Sequence, residues 1–146
     1  MNDEALKLKN QLCFPLYACA KEVIRKYKPF LDEIDLTYTQ YIAMMVLWEQ
    51  KSASVKILGE QLYLDSGTLT PLLKKMEAKG LVTRERSSED ERSVIVRITG
   101  QGEKLKEAAV GIPSKIGQCI PLTREEAHTL YTLLYKVLAQ DCIPHF

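Results

Sequence analysis

The chain has 146 residues, the length of about one domain, and its 46% apolar and 27% charged residues exclude a disordered or fibrous protein. Its formal charge of +1 excludes a protein that is basic throughout but permits a local basic surface. The longest uncharged run, 13 residues from Leu36 to Trp48, is too short to cross a bilayer, and the acidic N-terminus has no signal-peptide pattern. We therefore expect a cytoplasmic protein without membrane contact.

The first part of the chain predicts two helices. A helical pattern runs over about residues 5–27, and Pro15 within it predicts a kink or a late start, while Pro29 predicts a short turn behind it. Thr37 and Gln40 have the spacing of a capping box. The helix that they begin is apolar almost all round, so we expect it to be central and buried.

Two short helical patterns with a tight break between them follow. Ser54 is suited to cap a helix over 55–62, and Asp65-Ser66-Gly67 reads as a turn and N-cap. The next helix is predicted from about Thr68 to Lys79, with Gly80 as the residue that ends it.

A two-stranded hairpin is predicted behind these helices. Val94, Val96 and Ile98 alternate as in a strand, and the polar stretch 87–91 separates them from a partner over 83–86. Helix, turn, helix and hairpin together form a winged helix-turn-helix.

The C-terminal part returns to helices. One is predicted over about 102–116, disturbed at 111–113, and a second capping box at Thr123 and Glu126 begins an amphipathic terminal helix. The predicted fold is mainly α with a small β-hairpin wing. We expect one domain over 1–146, with the winged helix-turn-helix at about 36–100 and flanking helices at about 5–30 and 102–142.

The region from Ser66 to Arg86 is locally basic, with five cations against two carboxylates. Such charges supply most of the affinity for DNA phosphates, and small polar groups at a helix start reach phosphates or base edges. Arg92 lies at the predicted hairpin tip, where Asp90 is close enough to orient its guanidinium. The alternative is a solvated helix face of mixed charge. The candidate DNA-binding residues are Ser66, Thr68, Thr70, Lys74, Lys75, Arg84, Arg86, Asp90 and Arg92.

Four cysteines raise the question of metal or redox chemistry. They are Cys13, Cys19, Cys119 and Cys142. No pair has the C-x-x-C spacing and the two histidines are far apart, so we expect neither a metal site nor a cofactor. Redox chemistry is the more plausible function, against the alternative that free cysteines are commonly buried and inert.

Several separated motifs follow one another along the chain: LDSGTLTPLLKKME at 64–77, Gly80-Leu81-Val82, Asp90-Glu91-Arg92 and Ile98-Thr99. Together they resemble the MarR family of winged-helix regulators. The segments LCFPLY at 12–17, YKP at 27–29 and LTYTQY at 36–41 are similar to the branch that senses organic hydroperoxides. The resemblance runs from about Lys9 to Thr99 and continues more loosely to the C-terminus.

The resemblance implies a homodimer held by its terminal helices, in which each winged helix reads half of a pseudo-palindromic operator in double-stranded DNA. It implies that Cys13 is the thiol that organic hydroperoxide oxidises. It also implies that Tyr27 and Tyr38 of the partner subunit hydrogen-bond its thiolate. Phenol donors favour a thiolate, which is the nucleophile toward a peroxide. Without the resemblance, packing is the simpler interpretation of both tyrosines.

The oxidised Cys13 has three possible partners. By the resemblance, Cys119 lies just before Pro121, between two helices, where two-cysteine members carry their resolving residue; Cys142 and a small thiol are the alternatives. Cys19 is about 240° round an ideal helix from Cys13, so we interpret it as structural. Pro15 departs from the family pattern and leaves the helix path at Cys13 open.

Three other functions are compatible with parts of the sequence. A regulator of the same fold that responds to a small organic ligand would share the DNA site and differ only in its signal. A thiol peroxidase using Cys13 and Cys119 would leave Lys74, Lys75 and the wing unexplained. The LDSGT segment at 64–68 matches the short aspartic-protease signature, but its flanks are helical. The expected function is that of a redox-sensing repressor, not an enzyme.

Overall fold

The computed structural model describes residues 3–139. These residues form two compact units, the first ending at Pro113 and the second beginning at Ser114. Two short 3-10 turns, Asp3–Leu6 and Leu8–Asn10, come first. The elements that follow are α1 Cys13–Asp32, α2 Tyr38–Gln50, β1 Ser52–Ser54, α3 Val55–Leu62, α4 Ser66–Ala78, β2 Val82–Arg86, β3 Val94–Ile98, α5 Gly100–Ala109, α6 Ile112–Cys119 and α7 Arg124–Leu138. The mainly helical fold with a small wing is confirmed.

The helix α1 starts late, as Pro15 predicts, because Cys13 is its first residue and proline fits the first turn of a helix. The prediction that Pro29 opens a turn is wrong: α1 continues through it to Asp32. Leu31, in that last turn, is buried, and burial of a leucine stabilises the turn by about 1.5–3 kcal/mol, which is comparable to the ~3 kcal/mol that a proline costs inside a helix.

The helix α2 is central in the first unit, as its sequence predicts. Its capping box is formed: the Gln40 backbone N–H donates to Thr37 Oγ1, and the Thr37 N–H donates to Gln40 Oε1 at 3.1 Å. Ala43, Met44 and Leu47 are fully buried. Such burial is the consequence of a helix without a polar face.

The winged helix-turn-helix is confirmed, with one strand more than predicted. The strands form an antiparallel sheet in the order β1-β3-β2, with Ala53 opposite Val96 and Arg84 opposite Val96 on the other side. Asp65 caps α4, which therefore begins at Ser66, two residues earlier than predicted. Leu69, Leu72, Leu73 and Met76 form its buried face.

The end of α4 is a Schellman motif. Gly80 has φ +77°, its N–H donates to Glu77 O, and the Leu81 N–H donates to Met76 O. The prediction that Gly80 ends the helix is confirmed, and the chain turns directly into the wing.

The C-terminal helical pattern is interrupted as predicted, but it forms two helices, α5 and α6, instead of one disturbed helix. The capping box at Thr123 and Glu126 begins α7. Cys119 is the last residue of α6, whereas we predicted it between helices. The predicted boundary at 142 and Cys142 lie outside the described residues.

A close contact at the start of α5 joins it to the core. The indole N–H of Trp48 donates to Gly102 O at 2.8 Å, and this bond is buried. A Cβ on Gly102 would lie 2.4 Å from Leu81 O and 2.8 Å from Ile98 Cγ1, whereas one on Gly100 meets nothing within 4 Å.

Gly102→Ala should therefore lower the free energy of unfolding by about 1–3 kcal/mol, the usual cost of overpacking. Urea unfolding at one fixed protein concentration measures it. Gly100→Ala, two residues earlier in the same helix, is the matched control and should not destabilise. Equal midpoints for the two variants would contradict the close packing at Gly102.

Candidate DNA-binding surface and thiol site

The outer face of α4 presents small polar and basic side chains. Ser66, Thr68 and Thr70 are exposed in its first turns, and Lys74 and Lys75 are exposed further along. On the side of α4 opposite to the buried leucines, hydroxyl groups therefore lie near the N-terminus and ammonium groups lie nearer the C-terminus. Hydroxyl and ammonium groups of this kind are the side chains that contact phosphates and base edges in a DNA groove.

A carboxylate lies at the start of the same helix. Asp65 Oδ1 accepts the Thr68 backbone N–H at 2.8 Å, and hydrogen bonds from the Thr68 side chain and backbone lower the pKa of Asp65. The cap is therefore ionised at neutral pH and fixes the first turn of α4.

Arg84 joins the wing to α4, the second helix of the helix-turn-helix, which is called the recognition helix in this motif. Its guanidinium Nη2 donates to Glu77 Oε1 at 3.2 Å, and its backbone N–H donates to Glu77 Oε2 at 3.0 Å. Its side chain is only 23% exposed and its Nε is buried without a hydrogen-bond partner. This geometry favours a positioning role for Arg84, and DNA contact through it stays a prediction. Glu77 was not among the predicted site residues, because a spacing of seven residues along the chain does not indicate an ion pair.

The wing tip has a different geometry from the one expected. Asp90 Oδ1 accepts the backbone N–H of Arg92 at 3.0 Å, so it holds the turn and not the guanidinium. Arg92 is exposed, and Arg86 donates from Nη1 to Glu91 O at 2.8 Å, which braces the hairpin from its other strand.

An open groove of about 590 Å³ lies between α3, α4 and the wing. Its lining residues include Ser66, Thr70 and Arg92.

Three tyrosines form a cluster at the junction of α1 and α2. The ring centroids of Tyr27 and Tyr38 are 5.0 Å apart, and Tyr41 lies 5.7 Å from Tyr27. Tyr27 and Tyr38 are half-buried and Tyr41 is buried. The structure thus brings together the two predicted tyrosines. It adds Tyr41, which the one-turn spacing from Tyr38 could have indicated.

Burial changes the acidity of this cluster. Burial, followed by the neighbouring phenols of Tyr38 and Tyr41, raises the pKa of Tyr27 to about 12. Burial also raises the pKa of Tyr38. Both phenols therefore remain neutral hydrogen-bond donors over the physiological range.

Cys13 lies far from these tyrosines within one chain. Cys13 and Tyr27 both belong to α1, and 14 residues of ideal helix span about 21 Å. Cys13 is exposed at the first position of the helix, and Cys19 and Cys119 are exposed as well. The prediction that Cys19 is a structural cysteine finds no burial to support it in the single chain. Cys119 belongs to the second unit and Cys13 to the first.

Two helices carry apolar side chains that the single chain leaves uncovered. On α1, Phe14, Leu16 and Ile24 are 42–47% exposed. On α7, Leu130, Leu133 and Val137 are 46–64% exposed. Patches of this kind mark protein–protein interfaces.

Within residues 3–139, no cluster of three or more histidine, cysteine or carboxylate side chains is suited to hold a metal ion. Each helix in that range is too short or too polar to cross a bilayer.

Residues 25–109 match the family of transcriptional regulators described as SarA/Rot. The chain is 53% identical, over 91% of its length and 90% of the relative's, to the organic hydroperoxide resistance transcriptional regulator of Bacillus subtilis.

Solved structures of AbfR, a protein of Staphylococcus epidermidis, are also similar. Reduced AbfR bound to DNA has a TM-score of 0.78 at 33% identity, and overoxidised AbfR bound to DNA has 0.77 at 34%; each covers 95% of this chain and 98% of that one. The disulfide form has 0.60 at 35% identity, covering 95% of this chain and 94% of that one.

The raised pKa of Tyr27 predicts a specific titration. In the native protein, Tyr27→Phe should leave the tyrosinate absorbance unchanged up to about pH 11, because this phenol ionises near 12 instead of its ordinary value of about 10. In concentrated guanidinium, where the cluster is lost, the variant should lack one tyrosinate by about pH 10.5. A native difference of one tyrosinate near pH 10 would contradict the burial of this phenol.

Proposed function

This chain belongs to the MarR-type winged helix-turn-helix regulators, in the branch of the organic hydroperoxide resistance regulators, and we propose that it is a homodimeric repressor that organic hydroperoxide releases from its operator. In this proposal Cys13 is the sensing thiol, and the protein acts in the cytoplasm on a pseudo-palindromic operator in double-stranded DNA. The operator of its own gene is the first candidate.

The observation that carries the proposal is the separation of Cys13 from the tyrosines along α1. One helix holds Cys13 and Tyr27 about 21 Å apart, so a thiolate bonded by Tyr27 and Tyr38 requires a second chain. The uncovered apolar side chains of α1 and α7 supply a surface for that chain. A dimer thus provides both the burial that these helices lack and the donors that the thiol needs.

The redox step follows thiol chemistry. The Cys13 thiolate attacks one peroxide oxygen, the O–O bond breaks, and the alkoxide takes a proton and leaves as an alcohol. The sulfur is oxidised by two electrons to a sulfenic acid and the peroxide is reduced by two. The Cys119 thiol then attacks the sulfenic sulfur, an S–S bond forms, and the hydroxyl leaves with a proton as water.

A disulfide is the product that best explains release. AbfR, a relative, was solved bound to DNA both reduced and overoxidised, and its disulfide form fits this chain less closely than either. Two recognition helices must enter successive major grooves about 34 Å apart, so an S–S bond that shifts one relative to the other prevents simultaneous binding.

The central experiment is DNA affinity before and after oxidation. Fluorescence anisotropy on a duplex from upstream of the protein's own gene should show that stoichiometric organic hydroperoxide weakens wild-type binding at least about tenfold. Cys13→Ser should stay within about twofold of its untreated affinity. If wild type keeps its affinity after Cys13 oxidation is verified by mass, the redox switch is wrong and the small-ligand regulator takes its place.

The same assay identifies the resolving thiol. Without added small thiol, Cys119→Ser should keep its affinity after peroxide, whereas Cys142→Ser should release DNA like wild type. Non-reducing mass analysis should find a Cys13–Cys119 peptide. The opposite pattern for the two variants would assign resolution to Cys142.

The wing contact is tested by salt dependence. Arg92→Ala should weaken binding of the reduced protein by about tenfold and lower the slope of log K against log salt by about 1, as the loss of one phosphate contact does. Arg25→Ala, which removes an exposed arginine from α1, is the control. Equal slopes for both variants would remove Arg92 from the DNA contact.

A further inference from the structure

One lysine connects the end of the recognition helix with the turn that precedes Tyr38. Lys79 is the C-cap of α4. Its Nζ donates to the backbone O of Asp35, lies 3.5 Å from Asp35 Oδ2, and donates to Gln40 Oε1 at 3.2 Å. The side chain thus spans from α4 to the turn between α1 and α2, 44 residues earlier in the chain.

The groups that Lys79 contacts also define the start of α2. Gln40 Oε1 accepts the Thr37 N–H as well, and Tyr38 is the first residue of the helix that this capping box begins. Gln40 is 3% exposed, so its amide has no freedom to move independently of the helix. A displacement of Tyr38 therefore moves Gln40 with the first turn of α2.

The turn itself is held in an unusual conformation. Asp35 has φ +52°, in the left-handed region, and its backbone O receives the ammonium hydrogen bond. The backbone of Lys79 is held as well, because Gln101 Nε2 donates to Lys79 O at 3.3 Å. Lys79 is 31% exposed, so its ammonium is screened less than a surface charge.

We propose that Lys79 is the positioning residue that transmits the redox state of the tyrosine cluster to the recognition helix. The inference rests on the proposed function above. When formation of the disulfide takes the Cys13 sulfur away from Tyr27 and Tyr38, Tyr38 and the first turn of α2 shift, and the Lys79–Gln40 and Lys79–Asp35 bonds carry that shift to the end of α4. The coupling is mechanical and does not require Lys79 to touch DNA.

Lys79→Met tests the proposal, since it keeps the length of the side chain and removes the ammonium. The reduced variant should bind the operator within about threefold of wild type, and Cys13 should be oxidised at the wild-type rate. The ratio of the oxidised to the reduced dissociation constant should fall about five- to tenfold, the size of a lost coupling contact. Lys79→Arg should restore the wild-type ratio.

Lys104→Met is the matched control, because Lys104 is an exposed lysine that lines the same depression as Lys79 and Asp35. It should leave the ratio unchanged. If Lys79→Met is too unstable by thermal unfolding, Lys79→Gln, which retains a donor without the charge, replaces it.

Different results would contradict the proposed function and the proposed role of Lys79. A wild-type protein that ignores peroxide overturns the proposed function and this inference with it. A responsive wild type together with an unchanged ratio in Lys79→Met, or with reduced and oxidised affinities weakened equally, overturns the role of Lys79 alone.

Discussion

The helix α2 is apolar on nearly every face, and this constraint organises the first unit. A helix without a polar side is stable only when other elements surround it. Its N-terminal turn carries Tyr38 and Tyr41 of the tyrosine cluster, and its C-terminal turn carries Trp48, whose indole N–H donates to the backbone at the start of α5. Ala43, Met44 and Leu47 in the middle of α2 are fully buried in the close-packed core. The same packed helix therefore joins the tyrosine cluster to the start of α5.

Helix boundaries were predictable wherever a side chain itself terminates the backbone hydrogen bonding. The caps at Thr37, Ser54 and Thr123 and the left-handed Gly80 act within four residues, so their spacing reveals them. The predicted turn at Pro29 was wrong because the helix continues where Leu31 is buried, and the burial of Leu31 depends on tertiary packing that the local sequence does not show. β1 was missed for the same reason: three residues, Ser-Ala-Ser, become a strand only because β3 pairs with them.

The candidate site was predictable in its residue types but not in its bonds. Exposure of the α4 hydroxyls and lysines follows from the helical period, since the leucines face inward. The pairing of Arg84 with Glu77, and of Lys79 with Asp35 and Gln40, depends on where separate elements meet. Closeness in sequence did not identify the correct partner atom at Asp90. Its carboxylate accepts the backbone N–H of Arg92, whereas we expected it to bind the Arg92 guanidinium.

The high pKa of Tyr27 bears on how the proposed switch of one thiol and two phenols would work. A phenol that ionises near pH 12 donates a proton in its hydrogen bonds at any physiological pH, so the charge at the site depends on the sulfur alone. Hydrogen bonds to a charged acceptor are about twice as strong as those between neutral groups. In the proposed dimer, disulfide formation converts the thiolate into a neutral sulfur that is bonded to a second cysteine, and both phenols lose their charged acceptor. The chemistry of one atom thereby alters the contacts at the start of α2.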